Sequence, residues 1–390
     1  MSTKIENPGI GESSLVSVII PAHNAERYID DTLRSVVSQS HSHIEIVIVD
    51  DGSTDSTLSM AKDWADRDPR VRVISQPQGG VAAARNRAIE ATRGDFIAPL
   101  DADDLWFPRK IERQLQRFAE STSEVGVVYT WTTIIDGDNR CTGIMHKKIR
   151  EGDVFADLLA SNIVGHSSGA LIRREALAGV GYNLSLRDQG AQGCEDLDVY
   201  IRIAEHWLYA CVPEFLVAYR THVGGMSKDY TAMGRSVDRV LLDTRSRHTY
   251  IPARAIRLGR SANHMALAIA STVSGNQYSA ARQLLTALAL DPTQVRFREH
   301  RRLWKRIIKW SLINLCQLSP LQLRTRKRSL ANSHCSRLAD LPTIDQVMRK
   351  PDLLERFKSA PDSPFGHYRE VHIPDLARKH TPYTKRVATS

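Results

Sequence analysis

The first hundred residues alternate between two apolar patterns, and that alternation limits the fold more than any other feature of the chain. Runs rich in β-branched residues lie at 16–20, 44–49, 71–74 and 96–100. Between them the apolar positions take helical spacing: Ile29, Leu33 and Val36, then Leu58, Ala61 and Ala65, then Val81, Ala84 and Ala88. Strands that alternate with helices build βαβ units and a parallel sheet covered on both faces. The expected class is therefore α/β, a Rossmann-like sheet flanked by helices. In such sheets ligands bind beyond the carboxyl ends of the strands.

Composition narrows the function classes. The chain has 390 residues, 42% hydrophobic and 25% charged, as in a globular protein rather than a disordered one. Its net charge of +9 is local: residues 291–330 hold eleven Lys/Arg against two Asp/Glu, and the rest of the chain is balanced. That argues against a general nucleic-acid binder and for one anionic partner surface. The five cysteines are scattered, with neither metal spacing nor a disulfide framework, which points to a reducing compartment. No run reaches the length of a membrane-spanning helix, and residues 1–14 lack a signal-peptide core. The expected location is the cytoplasm.

Polar motifs sit at the predicted strand ends. The first strand ends in Pro21-Ala22-His23-Asn24, without the glycine fingerprint of a dinucleotide site. The second ends in Asp50-Asp51-Gly52-Ser53-Thr54-Asp55. Its paired carboxylates could accept from a base imide or a ribose hydroxyl, or Ser53 or Asp55 could cap the next helix. Gly79-Gly80 opens a small-residue helix carrying Arg85, a place where backbone can approach a phosphate; close packing explains the alanines equally well. The fourth strand ends in Asp101-Ala102-Asp103-Asp104, three acids that repel one another unless a cation or donors compensate. Hard divalent ions take such oxygen ligands. The following Leu105-Trp106-Phe107 should bury one side of that turn. Downstream, Glu195-Asp196 opens a helix, where an acid is also an ordinary capping choice. Tyr219-Arg220-Thr221-His222 follows a strand-like segment at 215–218.

These six elements, in this order over residues 15–228, resemble the family 2 glycosyltransferases of the GT-A fold. The resemblance implies an inverting enzyme that moves a sugar from a nucleoside-diphosphate sugar, usually a UDP-sugar, to a glycan or lipid-linked acceptor. It implies that Pro21, Ala22 and His23 with Asp50 and Asp51 hold the base, that Asp101 faces the ribose, and that Asn24, Gly80, Arg85, Ala102 and Glu195 complete the nucleotide-sugar site. Asp103 and His222 would bind Mg²⁺ or Mn²⁺, and Asp196 would be the general base. His23 departs from the tyrosine common at its position. Two other readings are weighed: a nucleotidyltransferase, which would want a basic glycine-rich loop where residues 22–28 offer only Arg27, and a non-catalytic sugar-nucleotide-binding scaffold.

The C-terminal part falls outside the resemblance. Residues 1–14 read as a tail, 15–228 as the transferase domain, 229–330 as helical, and 331–390 as a proline-rich, poorly ordered tail. Residues 262–290 read as a hairpin of two helices turning at Ser274-Gly275-Asn276, similar to one tetratricopeptide unit. Between 296 and 328, an apolar stripe with Trp304 and Trp310 bordered by Lys and Arg has the pattern of a helix lying on an anionic membrane, or of a core helix with solvated charges.

Overall fold

The computed structural model of the chain describes residues 9–222, 225 and 229–293. The basic stripe at 296–328 and the proline-rich segment from 331 lie outside the described residues.

The βαβ series is present. Strands β1 (Val16–Ala22), β2 (Ile44–Asp51), β3 (Val71–Gln76) and β4 (Phe96–Pro99) alternate with helices α1 (Ile29–Val37), α2 (Thr57–Arg67) and α3 (Val81–Glu90). They pair in parallel in the order β3-β2-β1-β4. Every residue of β1 and β2 is buried, and the two-residue pleat splits each strand between two cores. Val18, Ile20, Ile46 and Ile48 face a core shared with Ile29 and Leu33 of α1. Ile19, Val47 and Val49 face the other, shared with Ala84 and Ala88 of α3. This two-sided burial is why apolar residues occupy both faces of each strand; the polar exceptions, Ser17 and Glu45, hydrogen-bond each other (2.7 Å).

The middle of the chain extends the sheet. After β5 (Leu105–Trp106) and α4 (Lys110–Ala119) come β6 (Val125–Ile135), β7 (Cys141–His146), α5 (Phe155–Ala160), β8 (Ala170–Arg173), α6 (Arg174–Leu177), α7 (Ser185–Asp188), α8 (Glu195–Ala204) and β9 (Leu208–Arg220). The nine-stranded sheet runs β3-β2-β1-β4-β8-β6-β9-β5, with β7 on β6. Strand β8 is antiparallel to both β4 and β6. The long parallel pair β6–β9 brings Tyr219 and Arg220 level with Ile134 and Ile135. It returns the chain to the end of the sheet where β4 stops.

Helices α9 (Tyr230–Arg247), α10 (Ala253–Val273) and α11 (Gln277–Leu290) follow. The hairpin is longer than its small-residue pattern indicates, because α10 begins at Ala253 rather than 262. Its first half packs on α5: a side chain at Gly259 would overlap the Leu159 carbonyl oxygen. The turn and stop fall where expected, with Asn276 capping α11 through Ser279 N–H (3.1 Å) and Asp291 ending it. Among the described residues no helix is long and apolar enough to cross a membrane.

Candidate active site

Pro21 and Ala22 are the buried last residues of β1, and Ala22 pairs with Asp50 of β2. Two loops therefore leave the sheet side by side, and each locks the other. Asn24 takes a left-handed backbone (φ 49°), which asparagine tolerates. It donates its N–H to Ser53 Oγ (3.1 Å) and accepts Thr54 N–H at Oδ1 (2.8 Å). Asp55 accepts Thr57 N–H (3.0 Å), so it, not Ser53, caps the first turn of α2. His23 is exposed. Its Nδ1 donates to the Asp51 carbonyl (2.9 Å), leaving Nε2 to accept from Gln78 Nε2 (3.1 Å).

The adjacent aspartates do different work. Asp51 Oδ1 accepts from Gln76 Nε2 (2.8 Å) and Gly79 N–H (2.7 Å), and Oδ2 accepts from Gly80 N–H (2.7 Å). Its carboxylate thus holds the glycine loop, and the Gly79 and Gly80 N–H groups are directed at Asp51 rather than offered to a phosphate. Gly80 needs its freedom, because its φ is +89°. Asp50 is 1% exposed. Its Oδ2 has only long contacts, to Ser53 N–H (3.4 Å) and Ser75 Oγ (3.5 Å), and its Oδ1 has no partner among the described residues. A buried carboxylate oxygen left unpaired is costly, and a ligand N–H would relieve it.

The acidic turn after β4 is braced from several sides. Leu105, Trp106 and Phe107 are buried beneath it, as the sequence indicated. Thr32 of α1 donates to the carbonyls of Ala102 and Asp104 (2.9 Å each). Asp101 is paired with buried Arg85 through Oδ1 (2.5 Å) and accepts Ser167 Oγ–H at Oδ2 (3.0 Å). Asp104 is fully buried and accepts from Ser168 Oγ (2.5 Å) and Arg220 N–H (2.8 Å). Burial, with Asp103 and Asp101 alongside, pushes its carboxyl well above the ordinary range. Asp103 remains partly exposed, and His222 Nε2 donates to its Oδ2 (2.9 Å). The structure thus brings Asp103 and His222, 119 residues apart, into direct contact.

Glu195 and Asp196 separate cleanly. Glu195 is buried and accepts Gly193 N–H (2.9 Å), closing the turn that opens α8. Asp198 pairs with Arg202 (2.5 Å) on the same helix. Asp196 accepts Leu197 N–H at Oδ1 (2.8 Å) and Asn162 Nδ2 at Oδ2 (3.3 Å). Burial raises its carboxyl to about 6, with Glu195 and Asp101 adding to the lift and Arg85 opposing it. Asp196 therefore lies within electrostatic reach of the Arg85–Asp101 pair.

Sequence reasoning missed Thr32, Asn162, Ser167 and Ser168. Serine, threonine and asparagine are common in loops, and nothing local marks a residue whose partner lies 64 or 66 positions away, as for Ser168 and Ser167.

Residues 17–181 match the family model described as glycosyl transferase family 2. Over that segment the chain resembles the family 2 glycosyl transferases. Its α/β sheet, flanked by helices and followed by a helical extension, is the GT-A arrangement that the resemblance implied. Over 107 residues the chain is 46% identical to the putative teichuronic acid biosynthesis glycosyltransferase TuaG of Bacillus subtilis, covering 27% of this chain and 42% of that one. Over 212 residues it is 31% identical to chondroitin synthase of Escherichia coli, covering 52% of this chain and 28% of that one. A crystal structure of S. aureus TarS 1–349 shares 18% identity and covers 75% of this chain and 88% of that chain, with a TM-score of 0.49. The chain spans less than half the length of these two curated relatives. The family 2 match ends before Asp196 and His222.

Proposed function

We propose that the protein transfers a sugar from a nucleoside-diphosphate sugar, a UDP-sugar by the resemblance, to a hydroxyl of a glycan or lipid-linked acceptor, by single displacement with inversion. The observation that carries this reading is Asp196, a carboxyl raised to about 6 beside the Arg85–Asp101 pair. A base poised there is ionised at neutral pH yet still basic enough to take a proton. Glu195 and Asp198 are engaged in the turn and the helix, which favours Asp196 for that role.

In this reading the acceptor oxygen attacks the anomeric carbon as Asp196 takes its proton, and the bond to the diphosphate breaks on the opposite face. One carboxylate suffices, unlike the two-carboxylate arrangement of retaining hydrolases. Asp50, with its unpaired buried oxygen, accepts an N–H of the base, and the exposed His23 ring, fixed by Asp51 and Gln78, lies beside it. Arg85 orients Asp101 toward the ribose.

Asp103 and His222 fit a divalent ion. Asp103 Oδ2 and His222 Nε2, hydrogen-bonded to each other at 2.9 Å on a partly exposed point, would hold it as one carboxylate and, once Nε2 has lost its hydrogen, one imidazole donor, a set that would suit Mn²⁺ better than Mg²⁺. Among the described residues no third His, Cys, Asp or Glu joins them in a metal-binding group. The ion would supply neutralisation of the charge developing on the leaving diphosphate.

The two curated relatives are named for teichuronic acid and chondroitin synthesis, which supports a polysaccharide product. We assign residues 15–228 to the transferase unit, and the basic stripe at 296–328 to contact with an anionic cytoplasmic leaflet. Liposome co-sedimentation that is indifferent to anionic lipid would remove the membrane part alone. The experiment for the function is a panel of sugar nucleotides with Mn²⁺ and a mixed glycan acceptor. Released nucleoside diphosphate supports transfer. Pyrophosphate release from a nucleoside triphosphate and a sugar 1-phosphate, run in parallel, supports a nucleotidyltransferase, and no turnover in either assay supports a scaffold.

A further inference from the structure

One short loop touches three carboxylates of the site, Asp101, Asp104 and Asp196. Between α5 and β8, Asn162 donates to Asp196, Ser167 donates to Asp101, and Ser168 donates to Asp104. Ser168 Oγ also accepts the Asp101 N–H (3.1 Å), and Ser167 accepts from Arg85 (2.8 Å). The base and the donor-side carboxylate are thus tied to one rigid piece of backbone.

The Asn162 side chain cannot turn round. Its Oδ1 accepts the N–H groups of Val164 (3.1 Å) and Gly165 (3.0 Å), an Asx-type closure of the loop. An amide oxygen committed to two backbone donors leaves only its Nδ2 to face Asp196. That Nδ2 is shared with the Gly165 carbonyl (3.3 Å), so its position is set by the loop and not by the aspartate. Gly165 is held in turn against His146, and its φ of +90° permits the turn.

We propose that Asn162 is the positioning residue of the base: it presents one N–H to the ionised Asp196 and fixes the carboxylate relative to Asp101 through the 162–168 loop. This rests on the reading of Asp196 as the base. It adds what holds that base in register with the donor.

The test exploits the two ends of the amide. Asn162→Asp keeps an oxygen for the Val164 and Gly165 N–H groups but replaces the N–H facing Asp196 with an acceptor. Asn162→Ala removes both ends. If Asn162 only closes the loop, Asn162→Ala lowers stability but leaves the acid limb of kcat where it lies in wild type. If it positions the base, Asn162→Ala lowers kcat about tenfold with donor KM nearly unchanged. Asn162→Asp then lowers kcat further, and the acid limb of kcat moves to higher pH in both variants, most in Asn162→Asp. The contact is also read without turnover, in a double-mutant cycle on thermal unfolding at pH 8. Asn162→Asp should lower the melting point in the native background and not in Asp196→Asn. Wild-type kcat and pH limb in Asn162→Asp, or an unfolding penalty that persists unchanged in Asp196→Asn, overturns the proposal. Absence of turnover in the wild type overturns the function reading instead, and the unfolding cycle still decides whether the amide faces Asp196.

Discussion

Replacing Asp196 with asparagine should make the protein a poorer enzyme and a more stable one. The carboxyl is raised from an ordinary 3.8 to about 6 by burial, so the native state binds its proton more tightly than the unfolded chain does. Below about pH 4 both states are protonated and the residue contributes nothing. Between about 4 and 6 only the unfolded chain ionises, and stability falls as pH rises. Above about 6 the full cost is present, roughly 3 kcal/mol at about 1.4 kcal/mol for each tenfold change in proton affinity. Asparagine carries no charge and keeps the shape and the contact to Leu197 N–H. Thermal unfolding of Asp196→Asn should therefore match wild type near pH 4 and exceed it at pH 8 by several degrees, about 2 °C for each kcal/mol in a chain of this size. Over the same range wild-type kcat should fall below about pH 6, and Asp196→Asn should lose on the order of 10²–10⁴-fold in kcat with donor affinity nearly unchanged. A variant that melts with the same pH dependence as wild type would refute the raised carboxyl. Near-normal turnover would refute the base.

Asp50 and Asp51, adjacent in sequence, should respond oppositely. Asp51→Ala loses three hydrogen bonds to a buried carboxylate and should cost about 3 kcal/mol in denaturant unfolding, whereas Asp50→Asn should unfold no more easily than wild type and lose nucleoside diphosphate binding by calorimetry. The reverse pattern would exchange their roles. Asp103→Ala and His222→Ala should weaken nucleoside diphosphate binding strongly with Mn²⁺ present and little with EDTA. Equal loss under both conditions would make the pair structural.

Much of this arrangement is legible along the chain because its signals are local. The runs at 16–20 and 44–49 are apolar on both faces because α1 and α3 cover opposite sides of the sheet. The strand-end motifs stand out because Asp50, Asp51, Asp101 and Asp103 each follow an apolar run directly. What the residues could not disclose depends on contacts made after the chain has folded. Nothing near Asp51 says that its carboxylate is committed to Gly79 and Gly80, 28 and 29 positions on. Residues 121–225 read as mixed pieces, yet β6 and β9 are long strands whose parallel pairing is set by tertiary packing. The early start of α10 follows from its seat on α5 at Gly259, where the apolar pattern is weak.

The configuration of the first product tests the central claim most directly. With the active donor, proton NMR of the anomeric centre, read before mutarotation or on a stable glycoside, follows the single step assigned to Asp196. The account predicts an anomer opposite to that of the donor, formed at a rate that collapses in Asp196→Asn. A product that retains the donor's configuration would rule out a single displacement from the opposite face and would contradict it.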